Sequence, residues 1–145
     1  ARAYDRATIE IFASDISSEV LVRARKGQYR ETAFRTTDPT LRDKYFTRET
    51  DGGWRIADEI RNRVSFGRLN LYDEPRVSLL GNVDVIFCRN VIIYFDDASK
   101  KHVVASFYNR LTDGGYLLLG HSESLISLST QFRLRHLKND MVYQR

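Results

Sequence analysis

The sequence predicts an α/β fold in which an open, mainly parallel sheet finishes in an antiparallel segment. Three observations carry this. Val83 to Cys88 is a nearly unbroken run of β-branched and aromatic residues, the pattern of a strand covered on both faces in a parallel sheet. Apolar runs alternate with helix starts along the chain, as strand–helix–strand units require. The segments Phe132 to His136 and Met141 to Tyr143 each alternate and flank Lys138-Asn139-Asp140, which reads as an antiparallel hairpin closing the sheet.

Taken in order, Ala1 to Arg6 is polar and reads as the end of a helix or a loop. Thr8 to Ala13 alternates into a strand that stops at Ser14-Asp15. Ser17 then caps a helix, Glu19, Val20, Leu21 and Ala24 begin its face, and Lys26-Gly27 closes it. Asp38-Pro39 suits a turn into a short helix through Lys44. Tyr45 to Thr50 and Trp54 to Asp58 alternate around Asp51-Gly52-Gly53, a β-hairpin inserted between sheet strands and too small to stand alone. We read an inserted subdomain over about residues 32–63 of a single domain spanning 1–145. Its edge is a place where a partner peptide adds as a strand, or else one protected by charge.

Val64 to Leu71 restarts the main sheet and carries Asn70 near its end, with Asp73-Glu74-Pro75 following. Gly81-Asn82 turns into the Val83 strand, which breaks into Arg89-Asn90. Asp96-Asp97-Ala98-Ser99 opens a helix in which Val103, Val104, Phe107 and Leu111 recur at helical spacing, and Asp113-Gly114-Gly115 reads as its end. Tyr116 to Leu119 is a fourth apolar strand, terminating in Gly120-His121-Ser122-Glu123-Ser124.

Composition narrows the function. At 145 residues the chain is about one domain's worth, with 42% apolar and 29% charged residues. That excludes a wholly disordered chain, and no run approaches the ~20 apolar residues of a membrane helix, so we expect a soluble protein. Cys88 is the sole cysteine, which excludes a disulfide framework and a multi-cysteine metal site and suits a reducing cytoplasm. The first residues contain neither an initiator methionine nor an apolar signal core, and the start reads as a cut. A net charge of +4 with pI near 9.3 admits an anionic partner. Because the arginines alternate with Glu and Asp and form no basic block, nucleic acid is not expected, whereas an acidic protein surface suits the same field.

Four strand ends carry polar residues: Asp15, Asn70, Arg89-Asn90 and Gly120-His121-Ser122. Parallel strands of one sheet bring such ends to one edge, where α/β folds bind ligands. An acid for a ribose diol, a main-chain edge near Asn70-Leu71 for a base and a cationic fork for a carboxylate together fit an adenosine joined to an amino acid. Each residue also has a plainer reading: Asp15 as a helix cap, Arg89 and Asn90 as strand caps that pair with a neighbouring loop. His102, His121 and His136 are isolated, read as structural or solvated, and suggest no zinc site.

The blocks Phe12-Ala13-Ser14-Asp15-Ile16-Ser17, Asn70-Leu71, Asp84 to Phe95 and Gly114 to Ser124 resemble the CheR family of chemotaxis-receptor methyltransferases, in the family's order and spacing. The resemblance implies a Rossmann-like class I methyltransferase sheet with an inserted antiparallel β-subdomain. It implies S-adenosylmethionine as cofactor, S-adenosylhomocysteine as product, and methyl-ester formation on glutamates of chemoreceptor cytoplasmic helices during adaptation, in the cytoplasm. By the same resemblance Asp15 holds the ribose hydroxyls, Asn70 and Leu71 the adenine, and Arg89 with Asn90 the cofactor's far end. Tyr94 borders the transferring methyl, or is a buried core tyrosine. In the family a helical domain, a first strand and a Gly-rich turn come earlier than the residues matched here, so the chain reads as truncated at its amino terminus, with a missing segment or partner chain completing the sheet between the strands of Asp15 and Arg89. The Asp51-Gly52-Gly53 turn is shorter than in members whose hairpin grips a receptor's tail peptide. Two readings follow: the cofactor-binding portion of a glutamate methyltransferase, or a non-catalytic receptor-binding module of the same family.

Overall fold

The computed structural model describes residues 9–138 and 141–145 and divides into two compact units, Ala1–Leu69 and Asn70–Arg145. The expectations for Ala1 to Arg6, Thr8 and the Asn139-Asp140 part of the last turn lie outside the described residues.

In the first unit, β1 (Ile11–Asp15) pairs in parallel with β5 (Val64–Arg68), register running from Ile11 opposite Val64 to Asp15 opposite Arg68. Helix α1 (Ser18–Lys26) forms where its caps dictate: Ser17 Oγ accepts the Val20 N–H, and Gly27 closes it in the left-handed region at φ 64°. A Cβ at Gly27 would also stand 2.8 Å from Ile56 Cγ2, so both conformation and space require glycine. Helix α2 (Pro39–Tyr45) is capped by Asp38 with Pro39 in its first turn, as its sequence predicts.

The predicted hairpin is present as β3 (Phe46–Arg48) and β4 (Trp54–Ile56), closed by Glu49 N–H to Gly53 C=O at 2.8 Å. A third strand, β2 (Gln28–Tyr29), completes an antiparallel sheet in the order β2-β4-β3. Two residues are too short to display a period, which is why alternation missed it. The sheet is pinned by an aromatic cluster of Tyr29, Phe34, Phe46 and Trp54, with the Arg42 guanidinium 4.3 Å from the Trp54 ring and Trp54 Nε1 donating to Glu31 at 2.7 Å. A short helix α3 (Asp58–Arg61) leads to β5.

The second unit begins with α4 (Glu74–Ser78), capped by Asp73. Strand β6 (Val83–Cys88) then pairs in parallel with β7 (Leu111–Leu119) through the crossover helix α5 (Asp97–Arg110), and β7 continues antiparallel to β9 (Met141–Gln144) and β8 (Arg133–His136). Val103, Val104, Phe107 and Leu111 are buried beside Cys88, Ile92, Leu117 and Leu125. Burying each large apolar side chain of this set contributes about 1.5–3 kcal/mol.

Two expectations are corrected. First, among the described residues β6 is not covered on both faces: Val83, Ile86 and Cys88 face the core, whereas Phe87 is 72% and Val85 45% exposed. An apolar run marks a strand's affinity for cover, not the presence of that cover. Second, Asp113-Gly114-Gly115 does not end α5, which stops at Arg110. It is the irregular first half of β7, where register jumps from Val83 opposite Leu111 to Val85 opposite Tyr116. Gly114 takes φ 80°, and a Cβ at Gly115 would lie 2.9 Å from the Asp84 carbonyl, so these glycines serve the bulge. Within the first unit β1 pairs with β5, and within the second β6 and β7 belong to a four-stranded sheet.

Candidate functional site

The loop after β6 is fixed by hydrogen bonds to a residue far along the chain. Cys88 is buried, and the chain then emerges so that Arg89 and Asn90 are both exposed. Asn90 adopts φ 59°, a left-handed conformation that asparagine tolerates better than most side chains, and Val91 returns to the right-handed region. That alternation turns successive N–H groups toward one point, an anion-binding concavity. The anion is the chain's own. Glu123 Oε2 accepts the Asn90 N–H at 2.7 Å, and Oε1 accepts those of Val91 and Ile92 at 2.9 Å each.

A fourth donor comes from the end of β7: Gly120 N–H reaches Glu123 Oε2 at 2.7 Å, while the Glu123 N–H returns to the Gly120 carbonyl at 3.0 Å. Gly120 is needed for space, since a Cβ there would lie 2.2 Å from Asn90 Oδ1 and 2.8 Å from Glu123 Oε2. Burial pushes the Glu123 carboxyl up, but hydrogen bonds from the Gly120, Asn90, Val91 and Ile92 amides outweigh it and hold the group below its ordinary value. Glu123 is therefore charged at neutral pH although buried. Cys88 shows the opposite effect: burial, and secondarily the Glu123 charge, push its thiol up to about 12, leaving an unreactive protonated sulfur.

Past the loop, Ile92–Tyr94 forms a 3₁₀ turn in which Ile92 is buried and Tyr94 is 82% exposed. Tyr94 is thus not a core tyrosine. At the start of the same unit, Asn70 is exposed, its Oδ1 accepting the Tyr72 N–H at 3.0 Å, and Leu71 packs against the core. The Tyr72 ring lies 4.5 Å from that of His102, whose Nε2 is buried without a partner among the described residues. His121 and His136 are exposed, and among the described residues no group of three His, Cys, Asp or Glu side chains is placed to hold a metal.

In the first unit, Asp15 sits half-buried at the end of β1, its Oδ1 accepting the Ser17 N–H at 2.8 Å. The capping reading is therefore partly right: Ser17 caps α1 and Asp15 orders the entry to it. Among the described residues Oδ2 accepts no hydrogen bond.

Sequence reasoning placed Arg89, Asn90 and Gly120 at strand ends but gave Glu123 no role of its own. The available signal was an acid lying between an apolar strand and the buried Leu125, in a place where an unpaired carboxylate would be costly.

Parallel strands joined by a crossover helix, with polar loops at their carboxyl ends, are the arrangement in which α/β domains bind ligands. The family model for the CheR methyltransferase SAM-binding domain matches residues 1–141, and the chain belongs to that family, whose cofactor is S-adenosylmethionine. It is 40% identical over 139 residues to chemotaxis protein methyltransferase 2 of Vibrio cholerae, covering 96% of this chain and 48% of that protein. It is 40% identical to the chemotaxis protein methyltransferase of Salmonella typhimurium, over 87% of this chain and 44% of that one, and 35% identical to chemotaxis protein methyltransferase 1 of Pseudomonas aeruginosa, over 96% and 50%. The chain thus spans about half the length of these curated relatives. The mixed parallel and antiparallel architecture agrees with the Rossmann-like methyltransferase fold expected of the family. No helix among the described residues is long and apolar enough to cross a membrane.

Proposed function

We propose that this chain is the cofactor-binding part of a protein-glutamate O-methyltransferase that esterifies glutamate side chains on the cytoplasmic helices of chemoreceptors. The observation that supports it best is the loop after β6, where a family-matched segment is built to present Arg89 and Asn90 outward from a fixed backbone. The donor set fits S-adenosylmethionine: among the described residues no carboxylate lies within 4.0 Å of the Arg89 guanidinium, and Asp15 keeps one free carboxylate oxygen.

In this reading Asp15 accepts from the ribose hydroxyls, Asn70 and Leu71 border the adenine, and Arg89 with Asn90 engages the cofactor's amino-acid end. The exposed Tyr94 borders the reacting carboxylate and methyl. The bound cofactor supplies an activated methyl whose C–S bonding pair leaves on a neutral thioether sulfur. An accepting glutamate, with a pKa of about 4.3, is already ionised at neutral pH, so no side chain need act as general base. The protein's task is alignment and exclusion of water. A further strand beside β6, whose outer edge pairs with nothing among the described residues, belongs to this reading, as does the single domain with its inserted hairpin.

Calorimetric titration with S-adenosylhomocysteine tests it. The wild-type chain should bind, and Asp15→Ala should bind about 10- to 100-fold more weakly, the scale of hydrogen bonds to a charged acceptor. No binding by the wild-type chain, or equal binding by both, would overturn the reading for these residues.

The non-catalytic receptor-binding alternative has one observation of its own. In the first unit a groove of about 610 Å³ is lined by Arg25, Lys26, Arg55 and Arg61 with Val22 and Gln28. If that groove holds an acidic receptor segment, Lys26→Glu with Arg55→Glu abolishes capture of the receptor while Asp15→Ala leaves capture intact.

A further inference from the structure

We infer that Glu123 is the positioning residue of the cofactor site, a buried carboxylate that fixes the loop after β6 so that Arg89 and Asn90 recognise the cofactor's amino-acid end through their side chains. This rests on the proposed role of Arg89 and Asn90, and it assigns a function to a residue that touches no cofactor itself.

The argument begins with the donors. A left-handed residue followed by a right-handed one aims consecutive amides at one point, and such concavities commonly take the carboxylate or phosphate of a ligand. Here the amides of Asn90, Val91 and Ile92, and that of Gly120, all end on Glu123 at 2.7 to 2.9 Å. The main chain of this loop is consequently saturated and has no N–H left at these positions for a ligand carboxylate. Recognition passes to the groups left free, and the exposed Arg89 guanidinium is the cation that the loop presents.

The same donors dictate the chemistry of residue 123. Each of its oxygens faces two N–H groups, so both must be acceptors only, which a carboxylate satisfies and an amide does not. Glutamine has the right shape, but its NH₂ would face two amide hydrogens and leave both without an acceptor. Aspartate keeps the charge but is one methylene short of donors on two separate strand ends. Gly120 completes the device, since it alone lets β7 approach within reach of both Asn90 and Glu123.

The test uses two ligands that differ only at the end in question. S-adenosylhomocysteine carries the amino-acid end, and 5′-methylthioadenosine lacks it. Titrations of the wild-type chain, Glu123→Gln and Arg89→Ala are run with both. We expect Glu123→Gln to lose about 10- to 100-fold in affinity for S-adenosylhomocysteine, the scale of leaving buried donors unpaired, while affinity for methylthioadenosine changes less than about threefold. A variant that merely folds poorly would lose both ligands alike. Hydrogen exchange supplies the ligand-free readout: in Glu123→Gln the amides of Asn90, Val91 and Ile92 should lose protection while those of Val103, Val104 and Phe107 keep it.

The outcomes separate the two levels of the argument. If Arg89→Ala does not alter the preference for S-adenosylhomocysteine, the assignment of Arg89 fails, whatever Glu123 does. If Arg89→Ala abolishes that preference but Glu123→Gln retains it with unchanged protection at 90–92, the positioning role of Glu123 is overturned and the Arg89 reading stands.

Discussion

The polar strand ends after β1 and after β6 carry side-chain supports of opposite kinds. After β1 the side-chain acceptors act locally, Asp15 taking the N–H two residues on and Ser17 the N–H three residues on, while Leu69 N–H and Arg68 Nε reach the Asp15 and Ile16 carbonyls from β5 and its end. After β6 the support is remote, a carboxylate 31 to 33 residues further along the chain. The remote end is firm only while β7 and the turn that follows it are docked, so its order is a tertiary property and a cooperative one. The gain is geometric, since one carboxylate fixes three successive residues of the loop together with the end of the neighbouring strand.

The largest effect should come from crowding the remote support. Gly120→Ala puts a methyl where Asn90 Oδ1 and Glu123 Oε2 already stand, and it should cost about 3 kcal/mol in urea denaturation, combining overpacking with lost amide hydrogen bonds. An unchanged midpoint would mean that the two strand ends are not coupled. Glu123→Gln should come next, at about 2 kcal/mol near neutral pH. Its pH dependence is the sharper reading. The folded carboxyl titrates below the ordinary 4.5, so its contribution is complete above that pH and is lost as pH falls through the lower folded value. The stability gap between wild type and Glu123→Gln should therefore narrow below pH 4.5, and a gap that stays constant down to pH 3 would show that the charge is not what matters.

This opposition also explains what was legible in the sequence. Ser17, Gly27, Asp38-Pro39 and Asp96 mark helix ends by chemistry confined to three or four residues, and α1, α2 and α5 begin where those residues say. Asp15, Asn70 and Arg89-Asn90 were legible as polar strand ends because an apolar run stops at each. Features that need a partner from elsewhere were not legible. The exposed face of β6, the bulge at Asp113 to Gly115 and the two-residue β2 all depend on which strand lies alongside. Glu123 is the extreme case, since nothing within four residues of it reveals that three of its four donors come from residues 90–92.

At the local end the effects should be smaller. Ser17→Ala removes the cap of α1 and should cost about 1 kcal/mol, measured by thermal or urea unfolding.

The smallest effect is also the most informative, because it repeats the acid-to-amide change made at Glu123. In Asp15→Asn the side-chain oxygen still accepts the single Ser17 N–H, and the NH₂ that replaces Oδ2 meets no donor among the described residues. The shift in stability should stay within about 0.5 kcal/mol, as for substitutions that break no buried contact. Affinity for S-adenosylhomocysteine should nevertheless fall if the freed oxygen is the ribose acceptor, since the NH₂ that replaces it can only donate and the remaining oxygen already accepts the Ser17 N–H. One chemical change would then separate the two kinds of strand end. At residue 15 it affects binding and spares the fold, whereas at residue 123 it disturbs the fold locally and affects binding through that disturbance. A loss of stability in Asp15→Asn comparable to that in Glu123→Gln would show that the Asp15 carboxylate, and not only the bonds from Leu69 and Arg68 to the neighbouring carbonyls, holds the end of β1.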